Sequence, residues 1–216
     1  MKALVVGATG LVGNICLNQL LVDNFYNEVE VWVRKSTGIK NEKLIERIVD
    51  FSQIENMTAS GIDHIYCCIG TTIKKAGSQE AFRKVDYDYV VELGRFAEKH
   101  SVSKIIVISS IGAKIDSSNF YLRTKGEMEE DLNQLQIPAI YILQPSFIMG
   151  ERNEFRFGEK IGQYIIKALG FFLTGKKRKY RGIKAITIAK AMISLAKTGE
   201  IKKLIFESDT IQKLGI

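Results

Sequence analysis

Histidine and cysteine are scarce: two of the first, His64 and His100, and three of the second, Cys16, Cys67 and Cys68. Neither histidine stands at ligand spacing from the other or from a cysteine, so a metal site is not expected. An odd number of cysteines, two of them adjacent inside an apolar run, makes a poor disulfide framework. With no secretory signal, this points to reduced thiols in a cytoplasm. Proline is also scarce, with 2 residues against 18 glycines, and the composition is that of a globular protein rather than a disordered or fibrous one. No apolar run approaches the roughly twenty residues of a membrane span, so no membrane association is expected. The opening Met1–Gly7 is charged and then apolar, but its apolar part is too short for a leader; it reads as a buried strand.

What is present is an alternation. Apolar, β-rich runs at Lys2–Gly7, Glu28–Arg34, Glu46–Asp50, Ile62–Ile69, Lys104–Ser109, Ala139–Gln144 and Lys203–Glu207 predict strands. Helical patterns at Leu11–Val22, Gln79–His100, Asn119–Leu135, Phe157–Leu169 and Ile186–Lys197 fall between or after them. Continuous apolar runs such as Ile105–Ile108 suit strands covered on both faces. Strand–helix alternation predicts an α/β fold: a Rossmann-type, doubly wound, mainly parallel sheet with helices on both faces. Residues 1–216 read as one domain, with 151–182 as a small insertion covering the substrate crevice.

Gly7-Ala8-Thr9-Gly10-Leu11-Val12-Gly13 joins the first strand to the first helix. In such a turn the first glycine permits the tight bend, the second lets backbone approach a pyrophosphate, and the third lets the helix lie close to the sheet. Amides at the helix N-terminus then favour the phosphate charge. A dinucleotide is the expected ligand. After the second strand, where an acidic residue would serve the adenosine ribose of NAD, stand Arg34 and Lys35. Two cations there suit a 2′-phosphate, so NADP(H) is expected over NAD. Asp50 and Phe51, at the end of the third strand, are placed to flank the adenine. Cys68, Gly70, Thr71 and Thr72, after the fourth, are placed to pass near ribose and pyrophosphate.

Tyr121 and Lys125 lie four apart on a helical pattern and so share a face. Ser109 and Ser110 end the fifth strand. A lysine ammonium one turn from a tyrosine stabilises its phenolate and reaches ribose hydroxyls, while a serine hydroxyl holds the substrate oxygen. Hydride transfer is the cofactor's chemistry. The expected function is an NADP(H)-dependent oxidoreductase acting on a small carbonyl or alcohol; the alternative is an NADP(H)-binding regulatory protein with little turnover. A sugar-nucleotide epimerase is a weaker reading, because the stretch after Gly150 is short. The formal charge of +7 owes much to 175–182. This run is read as a solvated loop, and no nucleic-acid module surrounds it. The sequence names no protein partner.

The segments Gly7–Gly13, Val49–Phe51, Cys67–Thr72, Val85–Val90, Ser109–Ala113, Ser117–Phe120, Tyr121–Glu127 and Leu214–Gly215 together resemble an atypical short-chain dehydrogenase/reductase. More narrowly, they are similar to the Tat-interacting protein family of NADPH-binding, oxidoreductase-like proteins. The resemblance implies a Rossmann sheet, NADP(H), and a serine–tyrosine–lysine triad at Ser109 or Ser110, Tyr121 and Lys125. Pro145, Ser146 and Ile148 would lie at the nicotinamide end. Gln144 stands where family members often carry arginine.

Overall fold

The computed structural model describes residues 1–150 and 179–216. Among these, seven strands form one parallel sheet: β1 (Lys2–Val6), β2 (Glu28–Val33), β3 (Leu44–Ile48), β4 (His64–Cys67), β5 (Lys104–Ile108), β6 (Ala139–Gln144) and β9 (Lys203–Glu207). Their spatial order is β3-β2-β1-β4-β5-β6-β9. A separate pair, β7 (Ile148–Met149) and β8 (Ile183–Lys184), runs in parallel just beyond β6. Strand order reverses at β1, which pairs with β2 on one side and β4 on the other. Crossover helices must leave this point in opposite directions, which opens a crevice beyond the carboxyl ends of β1 and β4.

Both faces of the sheet are covered. One core packs α1 (Leu11–Val22) and α6 (Ala185–Ala196) on Val5, Val31, Ile106 and Tyr141. The other packs α4 (Tyr89–Lys99) and α5 (Phe120–Gln134) on Leu4, Ile65, Ile105 and Ile140. Both alternations of the central strands are therefore mostly apolar, as the continuous runs in the sequence required, with Glu30, His64 and Lys104 as buried exceptions. The doubly wound expectation holds.

Several boundaries differ from the sequence reading. The third strand is Leu44–Ile48 and does not reach Asp50, because the Asp50 carboxylate accepts from the Ser52 amide at 2.9 Å and starts a 3₁₀ turn over Phe51–Asn56. The fourth strand stops at Cys67, short of Ile69. The single helix expected over Gln79–His100 is three pieces: α3 (Gln79–Arg83), a π-helical turn (Lys84–Asp88) and α4. Two short helices were missed, α2 (Ile73–Ala76) and α7 (Ser208–Leu214). The helix expected at Phe157–Leu169 and the first half of the basic run lie outside the described residues, as does most of the expected insertion.

Candidate active site

The glycine turn has the shape its spacing demands. Gly7 sits at φ +86°, and a Cβ there would lie 2.5 Å from the Cys68 carbonyl carbon and oxygen. A Cβ at Gly13 would lie 2.2 Å from the Gly7 oxygen. Glycine at both is thus compelled by the close approach of α1 to β1 and β4. At Gly10 an added Cβ meets only the Gly7 oxygen, at 3.2 Å. Gly10 and Thr9 are exposed, Ala8 and Val12 are buried, and Leu11 is half-buried. Gly10 is the N-cap of α1 and brings no capping side chain, and the first turn has no acidic residue. The unpaired amides of that turn face no competing carboxylate of their own helix. This cradle fits a pyrophosphate.

Arg34 and Lys35 follow β2 directly and are exposed; among the described residues neither forms an ion pair. On the neighbouring strand the Glu46 carboxylate is taken by Thr37, whose amide and hydroxyl donate to it at 2.8 and 2.6 Å. Asp50 is occupied in capping the 3₁₀ turn, and Phe51 is buried against Tyr89, ring centroids 5.8 Å apart. Beyond β4, Thr72 caps α2 by accepting from the Lys75 amide at 3.2 Å. Cys68 packs towards α6, its Sγ 4.0 Å from the Met192 sulfur, and burial pushes the Cys67 thiol up to about 12. A thiol so held is a packing group rather than a nucleophile.

Asn119 starts α5 by accepting from the Leu122 amide at 3.2 Å, which sets the turn carrying Tyr121 and Lys125. The loop after β5 lies directly on this helix: a Cβ at Gly126 would be 2.3 Å from the Lys114 carbonyl carbon. That contact lays the loop after the β5 serines along the middle of α5, where Ser109 meets Glu129. Tyr121 is half-buried, its ring 5.4 Å from that of Phe82. Lys125 is 3% exposed and is not free: its Nζ lies 2.7 Å from Oδ1 of Asp86, which is 1% exposed. The second Asp86 oxygen accepts from the Thr71 amide at 2.8 Å. Burial opposes the Lys125 charge, but the Asp86 carboxylate, with Tyr121 assisting, outweighs it and holds the ammonium above the usual lysine range. Asp86 is the site residue missed by sequence reasoning. It lay inside the resembling Val85–Val90 segment, but nothing local paired it with Lys125.

The two serines divide. Ser109 is buried and its hydroxyl donates to Glu129, one turn beyond Lys125 along α5. Gln144 Nε2 donates to both Glu129 oxygens, at 3.0 and 2.9 Å. Burial holds the Glu129 carboxyl above its ordinary range despite these donors. Gln144 thus neutralises nothing; it satisfies a buried carboxyl. Ser110 is half-buried, and among the described residues its Oγ has one acceptor, the Ile111 carbonyl at 3.5 Å. Pro145 accepts from the Ile111 amide at 3.0 Å, joining the tips of β5 and β6. Ser146 donates to the Arg181 carbonyl and lies 3.0 Å from the Ser208 hydroxyl. Ile148 pairs with Ile183 in the β7–β8 ladder, and Gly150 rests on Leu11 beside the glycine turn. Among the described residues no cluster of His, Cys, Asp or Glu could hold a metal, and no helix is long and apolar enough to cross a membrane.

Comparison with known proteins places this geometry. The HIM1 family model matches residues 18–170, more than half of the chain, beginning after the glycine turn. Protein HTATIP2 of Rattus norvegicus is 28% identical over 98% of this chain and 88% of its own length, which bears out the resemblance to the Tat-interacting protein family. Protein FMP52-1, mitochondrial, of Scheffersomyces stipitis is 33% identical over 70% of this chain and 69% of its own. The fold is that of UDP-glucose 4-epimerase from Thermotoga maritima (TM-score 0.68, 16% identity, 100% of this chain and 81% of that one). It is also that of the Lactococcus lactis oxidoreductase ylbE (TM-score 0.56, 24% identity, 70% and 72%). The cytoplasmic expectation is overturned: relatives from Scheffersomyces stipitis, Debaryomyces hansenii and Candida albicans are named mitochondrial proteins. Absence of a recognisable leader was too weak a signal to settle a compartment. By its family match and by these relatives, the chain belongs to the HIM1 family.

Proposed function

We propose that this protein is an NADP(H)-dependent oxidoreductase acting on a small carbonyl or alcohol. What supports the reading is a chain of contacts: Gly7 packs on Cys68, the loop after β4 reaches Asp86 through the Thr71 amide at 2.8 Å, and Asp86 holds Lys125 at 2.7 Å, one turn from Tyr121. The amides at the start of α1 would hold the pyrophosphate, Arg34 and Lys35 the adenosine 2′-phosphate, and the loop from Cys68 to Thr72 the ribose side. When bound, the nicotinamide supplies or accepts the hydride.

The chain's own groups supply positioning and the proton. Ser110, with its hydroxyl weakly engaged, orients the substrate oxygen; Ser109, committed to Glu129, supports the strand tips instead. Tyr121 exchanges its phenolic proton with that oxygen, and Lys125 holds a ribose hydroxyl and the local charge. Pro145–Ile148 wall the nicotinamide end.

The test is consumption of NADPH with a panel of aldehydes and ketones by the wild-type protein and Tyr121→Phe. Turnover that the substitution reduces by about a hundredfold or more supports the reading. Tight cofactor binding with no turnover anywhere would instead favour a nucleotide-binding regulator, and absence of NADP(H) binding would remove both.

A further inference from the structure

We propose that Asp86 is a positioning residue that, by pairing with Lys125, keeps Tyr121 a proton-bearing phenol and sets the site for carbonyl reduction at neutral pH. The inference rests on the reading of Tyr121 and Lys125 as the reacting pair. An unpaired ammonium near a phenol favours the phenolate, which is the base that alcohol oxidation needs. Here the ammonium has a carboxylate 2.7 Å away, with both groups almost fully buried. Seen from the phenol, the charge is that of a short dipole, whose field falls faster than that of a lone cation.

The remaining neighbours do not restore the balance. Facing Lys125 are Asp86 from the π-helical turn, Cys67 from β4, and Tyr121 on its own helix. Cys67 stays a neutral thiol. Glu129, one turn further along α5, also feels the Lys125 charge and can only add negative charge. Phe82, packed on Tyr121, brings none. Among the described residues that face Lys125, one cation is thus set against one carboxylate and a second carboxyl.

The Thr71 amide makes the arrangement more than an ion pair. Asp86 spans from the loop after β4, which belongs to the cofactor crevice, to the lysine of α5. Its carboxylate is held by two donors from different elements, so it cannot swing away to release Lys125 without losing the loop contact. A π-helical turn, which shifts the helix register by one residue, presents it there.

The chemical step balances as a reduction. The carbonyl carbon takes a hydride from the reduced nicotinamide, the carbonyl oxygen takes the Tyr121 proton, and the phenolate regains a proton from water. One carbonyl, one NADPH and one proton become one alcohol and one NADP⁺. Run backwards, the same step requires Tyr121 to be ionised first, so oxidation reaches its full rate only at alkaline pH, while reduction keeps its full rate through neutrality.

The deciding experiment needs no substrate. Tyrosinate absorbance in the near ultraviolet is followed from neutral to alkaline pH for the wild-type protein and for Asp86→Asn. Each is taken as the difference from its own Tyr121→Phe partner, so that one tyrosine is read. Asparagine keeps an acceptor for the Thr71 amide and removes the charge. The expected result is ionisation in Asp86→Asn at a pH lower by about one unit or more, a tenfold change in the equilibrium. Ionisation at the same pH, or higher, overturns the proposal. Should Asp86→Asn not fold, Lys125→Met serves: it leaves the carboxylate unbalanced, so ionisation must move upward, and no movement overturns the proposal equally. With 4-nitrobenzyl alcohol and NADP⁺, the half-maximal pH of oxidation should fall with Asp86→Asn in parallel. The proposed function can fail separately: no turnover with intact tyrosinate shifts would remove the reductase and keep the Asp86 coupling. Turnover abolished by Tyr121→Phe with no shift would do the reverse.

Discussion

Lys125 on α5 and Asp86 in the π-helical turn meet at 2.7 Å, each shielded from water by the second core of the sheet, and they join two elements far apart in the chain. A buried pair of this kind is costly to half-remove, because the survivor keeps its charge without its partner. Asp86→Ala and Lys125→Met should each lower stability by about 3–5 kcal/mol. The double variant should lose less than the sum, with a coupling of about 1–3 kcal/mol in a urea-denaturation cycle. Additive losses would mean that the two charges are solvated separately.

Gly10 separates binding from folding. Its neighbourhood accepts a Cβ with only a 3.2 Å contact to the Gly7 oxygen, whereas Gly13 would be driven to 2.2 Å of the same atom. Gly10→Ala should therefore melt close to wild type and bind NADPH about tenfold more weakly or worse. Gly13→Ala should lose the fold itself. Fluorescence titration beside thermal melts distinguishes them.

The serines at the β5 tip should part in the same way. Ser110→Ala is expected to cost about a hundredfold in turnover while leaving the melting temperature near wild type. Ser109→Ala removes the hydroxyl that donates to the buried Glu129 and should cost about 1–3 kcal/mol of stability, with turnover largely kept. The opposite assignment of effects would make Ser109 the substrate-holding serine.

Much of the scaffold was legible because its signals are local. β5 and β6 are apolar runs with no competing pattern, and α5 opens on an asparagine that caps it, so their bounds fall within a residue of expectation. The glycine turn carried its geometry in its spacing. What was not legible depends on contacts across the chain. Two serines in a row look equivalent until Glu129 is seen to engage Ser109 and Gln144. Lys125 reads as a free ammonium until Asp86 closes on it, and no periodicity announces a π-helical turn inside a helix. Phe51 reads as a crevice residue from its position, but packing on Tyr89 takes it into the core.

Away from the crevice, Tyr26 bridges His64 and Tyr66 in the interior, its hydroxyl 2.6 Å from His64 Nδ1 and 2.7 Å from the Tyr66 hydroxyl. Burial, reinforced by the Lys104 charge, pushes His64 down to about 4. The folded protein keeps the imidazole neutral, whereas the unfolded chain takes up its proton near the ordinary histidine value of about 6.5. Stability should therefore be intact above that value, fall as pH drops from about 6.5 to about 4, and level off below. Between about pH 7 and about pH 5 the loss is on the order of 1–2 kcal/mol. His64→Gln should flatten this part of the urea-midpoint profile; an unchanged slope would assign the loss to other groups.

Side-by-side titration of the wild-type protein and an Arg34→Ala/Lys35→Ala variant with NADPH and NADH tests the account most directly. Wild type should bind NADPH at least about tenfold more tightly than NADH, and the double variant should lose that preference by weakening NADPH alone. Equal affinity of the wild-type protein for the two dinucleotides, or binding of neither, would contradict it.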